Sequence, residues 1–173
     1  MVSKFTKKVC LLGDFGAGKT SLVRSFVEGC FDERYLSTIG VKVDRKVLTL
    51  PAASGEVVLT MMLWDLAGGP DLGPAAGNYV RGAAGAVIVC DLTRRETLAS
   101  AGEYVRILQQ ANPKAQRVLA ANKVDLVEEQ RLSAGELEEV AAWLGAPLFF
   151  TSAKTGEQLE AMFAQLGALV LAA

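Results

Sequence analysis

The chain has 173 residues, half of them hydrophobic, so one domain with a substantial core fits and disorder is not its default. Eighteen basic residues against 19 acidic ones leave a net charge of −1, and nothing in that balance marks nucleic acid as a partner. Histidine is absent, which removes Ser-His and Cys-His catalytic triads and every imidazole zinc site. In chain order, Val9 to Leu12 is a short apolar run closed by glycine, as a buried strand would be. Thr20 to Glu28 carries Leu22, Val23, Phe26 and Val27 on one helical face. From Val41 to Leu50 apolar residues alternate at Val41, Val43 and Val47, with Thr49 in the same phase. Residues 51–56 read as a turn and 57–64 as a second strand, so the pair is expected to form an antiparallel hairpin.

Ala86 to Cys90 is apolar on both faces, the pattern of a central parallel strand. Residues 95–111 read as one helix ended by Asn112-Pro113, and 118–121 as the next strand. Ser133 followed by Glu136 makes a capping box for a helix reaching about Leu144. A last strand covers 147–151, and a closing helix runs from Glu157 to about Leu171. This alternation predicts a single α/β domain over 1–173: a six-stranded, mostly parallel sheet with one antiparallel edge strand and helices on both faces. Ligands collect at the carboxyl ends of the strands in such sheets. Cys10 and Cys90 lie inside apolar runs and read as core residues; no cysteine pair has metal-ligand spacing. With no signal peptide and no run of about 18 apolar residues, a soluble, cytoplasmic protein is expected.

Directly after the first strand, residues 13–20 read Gly-Asp-Phe-Gly-Ala-Gly-Lys-Thr, the G-x-x-x-x-G-K-[ST] pattern of a phosphate loop. Glycines let backbone N–H groups curl around a polyphosphate, and the following helix turns its positive end toward it. Lys19 supplies a charge for the β- and γ-phosphates, and the Thr20 hydroxyl is a ligand for Mg²⁺. The nucleotide is therefore expected on Asp14, Phe15, Gly16, Ala17, Gly18, Lys19, Thr20 and Ser21.

Two later segments select the base. Asn122-Lys123-Val124-Asp125 follows a predicted strand. The Asp125 carboxylate can accept from the N1–H and 2-amino group of guanine, donors that adenine lacks on that edge. Lys123 can lay its stem over the base, and Asn122 can tie neighbouring loops together. In the second segment, Ser152-Ala153-Lys154, a backbone N–H can reach the guanine O6.

With these motifs in this order, the chain resembles a Ras-superfamily small GTPase, most of all its Rab branch, from about Lys7 to Leu171. Tyr35-Leu36-Ser37-Thr38-Ile39-Gly40 resembles the first Rab switch, Trp64-Asp65-Leu66-Ala67-Gly68 the W-D-T-A-G of the second, and Tyr79-Val80-Arg81-Gly82-Ala83 the run after it. The resemblance implies a molecular switch that binds Mg-GTP or Mg-GDP. It places Phe31 against the base, and makes Thr20, Thr38 and Asp65 the Mg²⁺ residues, Asp65 acting through water. The Gly68 N–H would touch the γ-phosphate, so the reaction centre is expected at Lys19, Thr38, Gly68 and Gly69. Effector, exchange and activating proteins would read segments 31–41 and 65–82 of a monomer.

The chain also departs from that family. Gly69 stands where a glutamine normally positions the attacking water, and Pro70 follows it. Phe15 occupies a place that is often glycine and would crowd an activator's arginine. Val43 replaces an aromatic that Rab partners read. Slow intrinsic hydrolysis is therefore expected, with Arg34 one alternative catalytic device. The last cysteine is Cys90 and residue 2 is Val, so neither a prenylated tail nor a myristoylation site is present in the chain. The alanine-rich composition and missing tail would suit a prokaryotic relative. Two other readings stay open: a nucleotide-binding module with negligible hydrolysis that depends on a partner, and a phosphotransferase or ATPase on the same loop, against which Asp125 argues.

Overall fold

A computed structural model describes residues 2–34, 37–53, 55–69 and 75–173. Tyr35, Leu36, Ser54 and Pro70, which enter the readings above, lie outside the described residues. The strands are β1 (Ser3–Gly13), β2 (Val41–Ala52), β3 (Gly55–Leu66), β4 (Gly85–Asp91), β5 (Gln116–Asn122) and β6 (Leu148–Thr151). The helices are α1 (Lys19–Glu28), α2 (Ala76–Val80), α3 (Arg95–Ala99), α4 (Ala101–Ala111), α5 (Ala134–Leu144) and α6 (Leu159–Ala172). One six-stranded sheet runs in the order β2-β3-β1-β4-β5-β6, parallel throughout except for β2, which pairs antiparallel with β3 at the edge.

Alternation along the central strands builds a core on each face of the sheet. Cys10, Leu12, Ile88 and Cys90 point into one, beneath α2, α4 and α5; Val9, Leu11, Val87 and Val89 point into the other, beneath α1 and α6. Every residue of β4 is buried, as its two-sided apolar run predicts. Leu22, Val23 and Phe26 bury the inner face of α1, and the Phe26 ring stacks on Phe163 of α6 with centroids 4.0 Å apart. The capping box is formed in both directions: Glu136 N–H donates to Ser133 Oγ at 3.2 Å, and Ser133 N–H donates to Glu136 Oε2 at 2.8 Å.

Several elements differ from the sequence reading. β1 begins at Ser3 rather than Val9, because its exposed first residues pair by backbone with 57–62 of β3 and show no apolar pattern. The predicted turn at 51–56 is tighter, since Pro51 pairs with Glu56 and Ala52 with Gly55. Proline is tolerated there because β2 is an edge strand. The alternation of β2 places Val43 and Val47 on the exposed face, and Leu48 and Leu50 form the phase that packs on the core. The predicted 95–111 helix divides at Ser100, whose hydroxyl donates back to the Glu96 carbonyl at 3.0 Å and so competes with the helical ladder.

Cys10 and Cys90 are fully buried, and burial pushes both thiols up from 9.0 to about 12; Cys30 is exposed. A thiol reagent at pH 8 should therefore label one cysteine per folded chain and three after unfolding. The raised values also fix a pH dependence. Between pH 9 and 12 the unfolded chain sheds two protons that the folded chain retains, so melting temperature should fall with rising pH across that window. Labelling of all three thiols in the folded protein would contradict this core.

Candidate functional site

The chain reverses its course across the sheet at β1, which has β3 on one side and β4 on the other. The carboxyl ends of β1, β3, β4, β5 and β6 deliver Gly13, Asp65, Asp91, Asn122 and Thr151 to one rim. Beside that rim lies a cavity of about 310 Å³. Phe15, Gly16, Gly18, Lys19, Thr20 and Ser21 line one end, and Asn122, Lys123, Asp125, Ala153 and Lys154 line the other. Phe31, Thr38 and Gly68 complete it, so residues from five separated segments converge on one space. Of the other sequence-predicted residues, Ala17 and Ser152 are buried behind the wall. Asp14 turns its carboxylate toward α4, and Gly69 lies outside the lining.

Lys19 is nearly fully buried, its Nζ donating to the carbonyls of Gly13 at 2.8 Å and Asp14 at 3.0 Å. Burial pulls its ammonium down to about 8, against the upward pull of Asp65 and Asp14. Its charged form is poorly solvated there, and a polyphosphate in the cavity would supply an anion to pair with it. The second switch lies directly against this loop. A Cβ on Gly68 would stand 2.4 Å from Phe15 N and 2.6 Å from Asp14 C, so only glycine admits that approach.

Thr20, Thr38 and Asp65 bring their oxygens together. Thr20 Oγ1 donates to Asp65 Oδ2 at 2.5 Å and lies 2.6 Å from Thr38 Oγ1, which is 3.3 Å from the same carboxylate oxygen. Asp65 Oδ1 is buried and has no hydrogen-bond partner among the described residues. Burial raises the Asp65 carboxyl above its usual range despite the Thr20 bond and the Lys19 charge. An orphaned buried carboxylate oxygen beside two hydroxyls is a donor set for a hard divalent cation such as Mg²⁺, which would neutralise phosphate charge there. The three sequence-predicted metal residues therefore fit that ion.

At the base end, Asn122 Nδ2 donates to the Ala17 carbonyl at 3.0 Å, and Thr151 Oγ1 donates to Asn122 Oδ1 at 3.2 Å. Asn122 thus ties phosphate loop and β6 together, as expected. Asp125 Oδ1 accepts from Ser152 Oγ at 2.7 Å, which fixes the carboxylate toward the cavity. Lys123 holds a left-handed backbone, φ 69°, unusual for a residue with a side chain. Its Nζ lies 2.7 Å from Asp91 Oδ2.

Asp91 is a residue that sequence reasoning missed. Burial alone would raise its carboxyl, but bonds from Lys123 and Thr93 outweigh that and hold it below the usual range. Arg94 also donates to Asp91, at 3.1 Å, and to the Phe15 carbonyl at 2.7 Å. The base loop and the phosphate loop are thereby linked through Asp91. The only local signal was Asp91-Leu92-Thr93 ending a strand, a self-bonding turn pattern. Arg34 lines the cavity, but its guanidinium and backbone N–H both donate to Asp32, at 2.8 to 3.2 Å.

Strand order, phosphate loop and rim define a P-loop α/β protein with a cavity at the carboxyl ends of its strands. Comparison with known proteins agrees. The family model described as Ras family matches residues 8–172. Ras-related protein Rab5 of Nicotiana tabacum is 39% identical over 160 residues, covering 92% of this chain and 78% of the relative. Ras-related protein RABF2a of Arabidopsis thaliana is 38% identical over the same span. Human Ras-related protein Rab-31 is 36% identical over 157 residues, covering 90% of this chain and 78% of the relative. The chain belongs to the Ras family, in its Rab branch, and is a small GTP-binding switch protein. Among the described residues no helix is long and apolar enough to cross a membrane.

Proposed function

We propose that the cavity binds Mg-GTP and Mg-GDP with its phosphates on 14–21 and its base on Asn122, Lys123, Asp125 and 152–154, and that the chain hydrolyses GTP slowly. The observation that carries this is the convergence of Lys19, the Thr20–Thr38–Asp65 oxygens and the Asp125 carboxylate around one cavity. Each matches one part of the ligand: phosphate charge, divalent cation and guanine donors. Protein bonds hold Lys19, Asn122 and Asp125 in place, which limits the ordering cost of binding.

Hydrolysis depends on aligning a water with the γ-phosphate. Lys19 and the Gly68 backbone sit at the phosphate end, but Gly69 offers no side chain to orient that water. A second reading follows from the same residue: a guanine-nucleotide module whose hydrolysis is negligible until a partner supplies the missing group. Either way the whole chain acts as one G domain, and partners read segments 31–41 and 65–82. Exposed Val43, beside half-buried Trp64 on the neighbouring strand, gives those partners a surface different from an aromatic one.

Binding should also stabilise the fold, by about 4 kcal/mol at a thousandfold excess over Kd. Stripping Mg²⁺ and nucleotide should lower the melting temperature by several degrees, and adding back GDP with Mg²⁺ should restore it. ATP at the same concentration should not. Equal rescue by ATP and GDP, or no shift on stripping, would overturn the proposed site.

A further inference from the structure

Asp14 is the one carboxylate in the phosphate loop, and it turns away from the cavity. Its two oxygens are taken by α4 and the turn before it: Tyr104 Oη donates to Oδ1 at 2.8 Å, and Ser100 Oγ donates to Oδ2 at 2.9 Å. Tyr104 is buried, and its hydroxyl has a second bond. The Gly69 N–H donates to Tyr104 Oη at 3.1 Å. A hydroxyl that donates to a carboxylate becomes a stronger acceptor, so the two bonds reinforce each other. Gly69 N–H, Tyr104 Oη and Asp14 Oδ1 form a chain from the second switch to the phosphate loop.

The neighbouring backbone points the same way. Ala67 N–H donates to the Gly40 carbonyl at 2.9 Å, and Gly68 packs directly on the loop backbone. Protein groups therefore tie residues 67–69 to Gly40 and, through Tyr104, to the phosphate loop, in the segment that a γ-phosphate orders in a nucleotide switch.

We propose that Tyr104 is a positioning residue of the second switch: its hydroxyl fastens Gly69 to Asp14 and holds residues 67–69 against the phosphate loop in the state that receives a γ-phosphate. The proposal rests on the guanine-nucleotide reading above and deepens it. A bond that raises the population of the closed state strengthens apparent GTP affinity, because affinity scales with the competent fraction. GDP, which has no γ-phosphate to meet the closed switch, gains nothing.

The test compares full-length wild type with Tyr104→Phe and Ser100→Ala. The first removes the hydroxyl and keeps the packed ring; the second relieves Asp14 of one bond but leaves Gly69 tied. Two quantities are measured: the affinity ratio between a non-hydrolysable GTP analogue and GDP, and amide hydrogen exchange at 68–69. Tyr104→Phe should lower the ratio about three- to tenfold, the range one net hydrogen bond sustains, and speed Gly69 exchange to match. Ser100→Ala should leave both within about twofold of wild type. An unchanged ratio and exchange in Tyr104→Phe, or equal effects in the two variants, would overturn the proposal. Exchange at Gly69 reads the clamp in nucleotide-free protein too. A wild type that bound no guanine nucleotide would thus strike the proposed function, while faster Gly69 exchange in Tyr104→Phe would still establish the clamp.

Discussion

Protein loaded with GTP and Mg²⁺ should still hold most of its GTP after several hours at 25 °C. In Ras, which carries the water-positioning glutamine, intrinsic hydrolysis runs at about 4 × 10⁻⁴ s⁻¹, a half-life near half an hour. Here the corresponding residue is Gly69, which has no side-chain amide to offer. Its backbone sits at φ 66°, and among the described residues nothing lies within 4 Å of where a Cβ would point. Its N–H is committed to Tyr104, and Arg34 is committed to Asp32. A rate at least about tenfold below that of Ras follows if water alignment is the main loss, for a half-life of roughly five hours or more. Single-turnover chromatography of bound GTP and GDP measures it, and conversion within minutes would mean that another group aligns the water. Gly69→Gln supplies a control with two readings. A side chain in this left-handed backbone costs about 1–2 kcal/mol, so the variant should melt a few degrees lower. It should nevertheless hydrolyse faster than wild type, because the amide restores a group that can orient the attacking water. A Gly69→Gln variant no faster than wild type would place the defect elsewhere, with Phe15 the next residue to replace.

The parts of the fold that could be read from sequence are those where one local rule governs. β4 is apolar on both faces because helices cover both, and Ser133 and Glu136 cap α5 through contacts three residues apart. The phosphate loop is legible for the same reason, since its glycines, Lys19 and Thr20 act within eight residues. The early half of β1 is not legible. Its stability comes from backbone bonds to a strand some fifty residues away, and its side chains face solvent. At Val43 and Val47 the limit is different, because alternation shows that two faces differ but not which one a helix covers. Ser100 illustrates a third limit. It lies within a good helical pattern, and its back-bond to Glu96 and its reach to Asp14 appear only in three dimensions.

The nucleotide site divides along the same line. Thr20, Thr38 and Asp65 were each identifiable from a short motif, and the fold brings their oxygens within 3.3 Å of one another. Asp91, Arg94 and Tyr104 act across the site through partners up to 90 residues away, and no local motif marks a tyrosine whose hydroxyl joins two loops. The family resemblance implies a role for each residue at the rim. It is silent on the second layer of side chains that holds the rim in place.

The sharpest test of the base end is Asp125→Asn. The Asp125 carboxylate is acceptor-only, and Ser152 Oγ already fixes one oxygen at 2.7 Å. Guanine presents two adjacent donors, N1–H and the 2-amino group, and both need an acceptor. Asn replaces one oxygen with an NH₂, so a donor faces a donor and both lose their partners inside a desolvated pocket. Sites built around such pairs discriminate by about 10⁴–10⁵, and GTP affinity should fall by at least about 10³-fold. Xanthine carries an oxygen where guanine carries the 2-amino group, so the same substitution should improve xanthosine triphosphate binding. The Asn oxygen can still accept from Ser152, so the nucleotide-free variant should melt close to wild type. Competition among guanosine, xanthosine and adenosine triphosphates reads all of this in one experiment. If Asp125→Asn bound GTP as tightly as wild type, the carboxylate would not read the base, and guanine selectivity would have to arise from Lys123, Phe31 and the 152–154 backbone alone.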